Sequence, residues 1–299
     1  MRRIGVLGNP ESWYLADLIR AAGPRSVEIV PLDFERLGGS LRREGSTRAV
    51  FAGDVSLQEL DALIVRSMPP GSLEQIILRM DLLQAVERSG IPLINPPRAM
   101  ELAIDKYLCL ARLAAAGVLV PETIVCQTWQ DGVAAYQQLG PLTVVKPLFG
   151  SEGRGIMRVD DPELAHRVFK TLQRSGSVIY VQKFIDHPGH DLRVLLLGEK
   201  LWGMRRSSDS DWRTNLSRGG SASVAEVPAE LVEIVRRIGT AWELPFAGFD
   251  FLPDSEGNWY LLEVNGVPGW RGLAAAHGVD IAGELLDYML SVVERRIEG

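Results

Sequence analysis

The chain has 299 residues, 46% of them hydrophobic and 23% charged, with a formal net charge of −6. That length allows two or three packed lobes, the acidic balance argues against a general nucleic-acid binder, and no apolar run approaches the ~20 residues that cross a bilayer. Two cysteines, Cys109 and Cys126, and four scattered histidines, His166, His187, His190 and His277, show no metal-ligand spacing, so neither a disulfide framework nor a zinc site is expected, and a reducing cytoplasm is the default compartment.

The opening MRRIGVLGNPES has too short an apolar stretch for a signal peptide and reads as a strand entering a turn. RIGVLG, VEIVPLD, DALIVRS and IPLIN are strand-like, and Leu73, Ile76, Ile77, Met80, Leu83 and Val86 recur at helical spacing between the last two. Strands alternating with helices predict an open α/β lobe over 1–97. The Gly5–Gly8 pair is not followed by the rest of a dinucleotide fingerprint, which weighs against an oxidoreductase built on that lobe. After Pro96-Pro97 one helix is expected through RAMELAIDKYLCLARLAAAG. PETIV, LTVVK and SVIYVQKF then read as strands, with an amphipathic helix marked by Leu164, Val168 and Leu172 before the last. Residues 98–183 are expected to form a lid-like central lobe. Residues 184–299 open with a hairpin, RVLLLGEKLWGM, turning at Gly198-Glu199. A helix marked by Leu231, Ile234, Val235 and Ile238 follows, then a second hairpin around PDSEGN. A final helix is buried through Ile281, Leu285, Met289 and Val293.

Three segments carry chemistry. In the second hairpin Glu263 and Asn265 share a face, and symmetric closure about 254–257 sets Asp250 opposite Leu261, on that same face. A one-residue slip would destroy this convergence. Three oxygen-bearing side chains suit a hard cation, and their small number suits magnesium, which keeps water and phosphate oxygens as further ligands. In FGSEGRGI, Gly150, Gly153 and Gly155 with Ser151 can bring backbone N–H groups against phosphate oxygens, and Lys146 just before them offers a positive charge. This is not a Walker A order, since the lysine precedes the glycines. In MRRSSDSDWRTNLSRGG, Arg205, Arg206, Arg213 and Arg218 form a cluster suited to phosphate or carboxylate recognition, with Asp209 and Asp211 neutralising half its charge. A solvated hairpin, a plain glycine-rich turn and a polar loop are the ordinary readings of the three taken singly.

Taken in order, DKYLCLARLAAAG, VVKPLFGSEGRGI, VQKFI, HDLRVLLLG, RTNLSRGGSA, FAGFDFL, LLEVNGVPGW and GVDIAGELL make the chain resemble the ATP-grasp ligases, and among them the RimK-like α-L-glutamate ligases, from about Asp105 to Leu290. The resemblance implies an α/β fold of three lobes with ATP between the central and C-terminal ones. It places Lys106 and Lys146 on nucleotide phosphates beside the Gly150, Ser151, Gly153 and Gly155 loop, Lys183 and Phe184 at the adenine hinge, and Asp191 on the ribose. Arg213, Thr214 and Asn215 would line the phosphate and substrate side, with Arg205, Arg213 and Asn215 as the catalytic set and Arg206 facing solvent. Asp250, Glu263 and Asn265 would carry two magnesium ions (manganese being an alternative), with Glu263 bridging. Lys183 departs from the family, where glutamate is common at the hinge. The implied reaction joins L-glutamate to an acceptor carboxylate through an acyl phosphate. IVRSMPPGSLEQIILRMDLLQAVE looks most like relatives that glutamylate a pterin such as tetrahydromethanopterin; a ribosomal protein tail, a carrier protein, or a non-catalytic nucleotide-binding role are the alternatives. No nucleic-acid or membrane partner is implied, and a homo-oligomer is left open.

Overall fold

The computed structural model describes residues 1–41, 49–150, 153–208, 211–214 and 219–298. The first lobe runs β1 (Arg2–Leu7), α1 (Trp13–Ala22), β2 (Val27–Leu32), β3 (Leu37–Ser40), β4 (Ala49–Ala52), β5 (Val55–Ser56), β6 (Ala62–Val65), α2 (Leu73–Arg88) and β7 (Leu93–Ile94). β2, β1, β6 and β7 form a parallel sheet in that order, as the alternating pattern requires. The antiparallel sheet β3-β4-β5, whose first strand is the glycine-rich LGGS, was not anticipated. α2 starts at a capping box between Ser72 and Gln75. It meets the lobe's core only over its second half, so Met80, Leu83 and Val86 are buried while Leu73 and Ile77, expected on the same face, are exposed.

The single helix expected after Pro97 is two, α3 (Pro97–Ile104) and α4 (Lys106–Ala115). Asp105 leaves helical geometry, and its carboxylate accepts the N–H groups of Tyr107 and Leu108 at 2.9 Å, which caps α4. Both helices pack with Leu231, Val235, Phe249 and Val264 in the core of the C-terminal sheet. By packing, α3 and α4 adjoin the sheet of the C-terminal lobe, whereas the sequence reading grouped 98–115 with the central one. The central lobe is β8 (Thr123–Cys126), α5 (Trp129–Leu139), β9 (Thr143–Lys146), β10 (Met157–Val159), α6 (Pro162–Arg174) and β11 (Ile179–Lys183), with sheet order β10-β9-β11-β8. α5 and α6 cover one face over Val145, Phe169, Ile179 and Val181. The buried stripe of α6 is centred on Ala165 and Phe169, one residue round from the expected one, and Leu164 is exposed. Strand alternation turns Val144, Lys146 and Gln182 to the opposite face.

The last lobe is β12 (His190–Leu197), β13 (Lys200–Ser207), β14 (Ser221–Ala225), α7 (Ala229–Ala241), β15 (Phe246–Pro253), β16 (Trp259–Asn265), α8 (Arg271–His277) and α9 (Ile281–Glu298). Its antiparallel sheet has the order β14-β13-β12-β15-β16. One face packs Leu192, Val194, Phe249 and Phe251 against α3, α4 and α7. On the other face Leu195, Leu197, Met204 and Phe246 share a core with Ile4, Leu18 and Leu285 of β1, α1 and α9. Beyond that apolar half, the same face carries Asp191, Arg193, Arg206, Asp250 and Glu263. There it borders a cleft whose opposite wall includes Val144, Lys146 and Gln182 of the central sheet.

Candidate active site

The carboxylate hairpin reaches its expected face by an unexpected register. Five residues, 254–258, join β15 to β16, organised by Asp254, whose carboxylate accepts the N–H groups of Glu256 and Asn258. Pro253 therefore pairs with Trp259, one residue out of the symmetric register, and Phe251 rather than Asp250 pairs with Leu261. That slip alone would turn Glu263 away from Asp250. An irregularity between Asp250 and Phe251 takes up Leu262 as a bulge and shifts the register once more, so that Asp250 pairs directly with Glu263. Two shifts of one residue restore the face. Asn265 lies two residues on, and its Nδ2 donates to Glu263 Oε1 at 3.1 Å.

Asp250 is buried and gripped by Arg193, through Nε at 2.7 Å and Nη2 at 2.6 Å, with Arg206 Nη2 at 3.2 Å. Burial works to raise the Asp250 pKa, but the two guanidinium groups overcome it and hold the carboxyl well below the usual range. Arg206 also forks onto Asp191 at 2.7 and 2.6 Å, and the Thr214 hydroxyl donates to the same carboxylate. Burial opposes the charge on Arg206, yet Asp250 and Asp191 together raise its pKa. Arg206, expected to face solvent, is thus the centre of a buried ion network. Asp191, expected at the ribose, has both oxygens committed to Arg206 and Thr214. Arg205, expected to be catalytic, is exposed on the opposite face of β13, 3.0 Å from His190 Nδ1, and does not line the cleft. Asn215 and Arg218, like Ser151 and Asp209, lie outside the described residues.

The cleft gathers the expected cations against these acids. Lys146 Nζ donates to Gln182 Oε1 at 2.6 Å, and burial brings its pKa down to about 8 while Glu263 works the other way. Lys106, in the first turn of α4, donates to the Gly150 carbonyl at 2.6 Å and is likewise lowered by burial against the pull of Glu263. Gly150, Gly153 and Gly155 have φ of 139°, 69° and 72°, values that a side chain disfavours, which explains their place in the β9–β10 turn. Arg213 pairs with Asp211 and donates from Nη1 to the Ile156 carbonyl at 3.2 Å, joining the arginine loop to the glycine hairpin. Lys183 is exposed and pairs with Glu122 at 2.9 Å. Phe184 meets the rings of His187 and Trp212, each at 5.8 Å between centroids.

Gln182, Arg193 and Trp212 were not singled out from the sequence, and His187 was considered there only for a zinc site. Arg193 had a signal: in DLRVLLL it is two residues from Asp191, hence on the same face of an otherwise apolar strand. Among the described residues no three His, Cys, Asp or Glu side chains converge, so the candidate cation site is Asp250 and Glu263 with the Asn265 amide. That hard-oxygen set is too small to enclose an ion, which fits magnesium sharing ligands with a substrate.

A family model described as a RimK-like ATP-grasp domain matches residues 103–289. A tetrahydromethanopterin:alpha-L-glutamate ligase of Methanosarcina acetivorans is 32% identical, the match covering 98% of this chain and 100% of that one. A glutamate–LysW ligase ArgX of Sulfolobus acidocaldarius is 28% identical over 68% of this chain and 74% of its own. Among solved structures, a RimK domain ATP-grasp protein from Sphaerobacter thermophilus superposes with a TM-score of 0.72 at 24% identity, covering 96% of this chain and 99% of that one. The ATP-grasp ligase PsnB, complexed with minimal precursor, Mg and ADP, superposes with a TM-score of 0.74 at 21% identity, covering 97% and 98%.

Proposed function

The chain belongs to the RimK-like ATP-grasp family of ligases, and we propose that it joins L-glutamate to a carboxylate-bearing acceptor through an acyl phosphate, with a tetrahydromethanopterin-type pterin as the acceptor. The observation that carries this reading is one cleft in which Lys106 and Lys146 stand against Glu263 and Asp250 beneath a glycine hairpin. A carboxylate is a poor acylating agent because its leaving group would be oxide. An oxygen of the acceptor carboxylate attacks the γ-phosphorus of ATP, the bond to the β-phosphate oxygen breaks, and ADP leaves. The neutral amine of L-glutamate then attacks the acyl carbon, phosphate departs with the bonding pair, and the new amide loses a proton.

Both steps place negative charge on phosphoryl or carbonyl oxygens. Lys106, Lys146 and Arg213 are fixed cations positioned to stabilise it in a low-dielectric cleft. Magnesium, held by Asp250, Glu263 and Asn265, would neutralise phosphate charge in the same place. Two ions are the stoichiometry we assign, and Glu263 would contribute to holding both. The N–H groups of Lys183 and Phe184 already donate to the carbonyls of Glu122 and Leu142, so the adenine edge falls to atoms beyond them. The Phe184 ring, braced by His187 and Trp212, is suited to the purine face.

The test is coupled ADP release with tetrahydromethanopterin, L-glutamate, ATP and magnesium, with mass spectrometry of the product. A pterin heavier by one glutamyl residue supports the reading. Stimulation by lysine, D-alanine or a carrier protein, with the pterin inert, would transfer the chain to another branch of the family.

A further inference from the structure

One lysine of the cleft is held by a row of side chains that runs away from the cleft. Lys146 of β9 and Gln182 of β11 both line it. Tyr180 pairs with Lys146 across β9 and β11, so Gln182, two residues on, is the diagonal neighbour of Lys146 on the same face. On its other side Gln182 pairs directly with Thr123 of β8. Cross-strand partners share a face, so Lys146, Tyr180, Gln182 and Thr123 form one polar group on the cleft side of the central sheet. Thr123 itself lies beyond the cleft lining.

Donor counting fixes the direction of every hydrogen bond in the row. An ammonium group only donates, so the Gln182 atom that meets Lys146 Nζ at 2.6 Å must be the amide oxygen. The amide nitrogen is thereby turned the other way, where it donates to Thr123 Oγ1 at 2.9 Å and to the Tyr180 hydroxyl at 3.3 Å. Thr123 commits its own hydrogen to the Pro121 carbonyl at 2.9 Å, which leaves its oxygen to accept. Gln182 is 2% exposed, so water cannot readily replace a lost partner. Across the cleft Arg193 and Arg206 are forked onto carboxylates. Lys146 instead meets a neutral amide and forms no ion pair among the described residues. A neutral acceptor fixes where the ammonium points without cancelling its charge, which suits a cation whose anionic partner arrives with the nucleotide.

We propose that Thr123 is a positioning residue for nucleotide binding: its hydroxyl, acting through the Gln182 amide, holds Lys146 where the phosphates bind. The proposal rests on the reading above in taking Lys146 as a phosphate contact. It adds a residue outside the cleft that sets the strength of that contact.

The test is ADP affinity, measured by calorimetric titration across a set of variants. Thr123→Val keeps the shape and removes the hydroxyl, so Gln182 Nε2 retains only its longer contact to Tyr180. ADP then binds about three- to tenfold more weakly, the worth of one such hydrogen bond. Thr123→Ser restores the hydroxyl and with it the wild-type affinity. Lys146→Ala binds ADP more weakly than wild type, and adding Thr123→Val to it changes the affinity by less than about twofold, because the group that Thr123 positions is gone. Gln182→Met breaks the row at its centre, weakens ADP at least as much as Thr123→Val, and is not weakened further by Thr123→Val. The proposal is overturned if Thr123→Val or Gln182→Met binds ADP like wild type, or if Thr123→Ser is as weak as Thr123→Val. It is equally overturned if Thr123→Val costs as much in the Lys146→Ala background as in wild type, which is what a general disturbance of the sheet would do. If Lys146→Ala binds ADP like wild type, the phosphate role of Lys146 fails and the proposal falls with it. Failure of the ligase reading as a whole appears separately, as absence of a glutamylated product from wild-type chain.

Discussion

Replacing Arg206 by methionine removes the one cation shared by Asp191 and Asp250. Its side chain is 4% exposed and both carboxylates are 5% exposed, so solvent screening offers no relief. Asp250 keeps the Arg193 fork, whereas Asp191 keeps only the Thr214 hydroxyl. Leaving a buried carboxylate without its partner typically costs about 3–5 kcal/mol, and in a chain of this size that lowers the melting temperature by on the order of 10 °C. Arg206→Met combined with Asp191→Leu removes the orphaned charge and recovers part of the loss. Thermal unfolding of the four forms of this cycle is the measurement. If Arg206→Met melts within about 2 °C of wild type, or if the double variant is no better than the single one, Arg206 is not the centre of the network.

Other substitutions test the cleft group by group. Glu263→Ala should abolish ADP formation while unfolding like wild type, since this side chain sits in the cleft lining and not in the core; activity at ordinary magnesium would refute its role. Lys146 has a folded pKa of about 8 against an ordinary 10.5, so the unfolded chain binds the extra proton between those values. Its contribution to stability therefore rises with pH across that window, whereas ATP affinity falls as pH passes through about 8; Lys146→Arg should flatten the affinity profile, measured by nucleotide titration. Lys183→Glu exchanges an exposed ion pair with Glu122 for two like charges and restores the common family residue, so a modest change in ATP affinity with retained turnover is expected. Deleting Leu262 removes the bulged residue but leaves Glu263 next after Leu261 and so still opposite Asp250, and magnesium-dependent activity should be retained; a folded but inactive deletion variant would contradict the bulge.

The alternating first sheet, the two C-terminal hairpins and the shared face of Asp250, Glu263 and Asn265 were legible because alternation and turn residues are local signals. What stayed hidden depends on counting across irregularities. Symmetric closure put Asp250, Glu263 and Asn265 on one face, but two one-residue shifts, at the five-residue turn and at Leu262, produce that result. The faces of Arg205 and Arg206 were interchanged, although the turn at Gly198-Glu199 was correctly placed. Pairing Leu197 with Lys200 and counting outward sets Asp191 opposite Arg206, as the structure has it. Asp105 inside a continuous helical pattern was read through, although its side chain makes a better cap than helix interior. The sheet of β3, β4 and β5 is built partly on LGGS, which has almost no strand propensity, so tertiary context decides its form.

The charges of the cleft have a logic that the individual contacts do not show. On the C-terminal sheet every described carboxylate of the ion network has an arginine against it, and across the cleft two lysines feel the field of Glu263. The resting site is therefore internally paired, which is how so many ionised groups survive away from water. On the proposed reading a nucleotide with its magnesium would bring both signs at once: phosphate oxygens for Lys106 and Lys146, and a cation for Asp250 and Glu263. Partners would then be exchanged rather than stripped, and neither half of the site would have to be left bare for the other to bind. An ion without nucleotide lacks the phosphates that the lysines need, and must compete with Arg193 for Asp250 unaided. Magnesium affinity should for this reason be weak alone and strengthened by ADP, and by linkage ADP should bind more tightly with magnesium present by the same factor. Calorimetric titration of each in the presence and absence of the other measures that factor; a value of one would mean that the two halves of the cleft are independent.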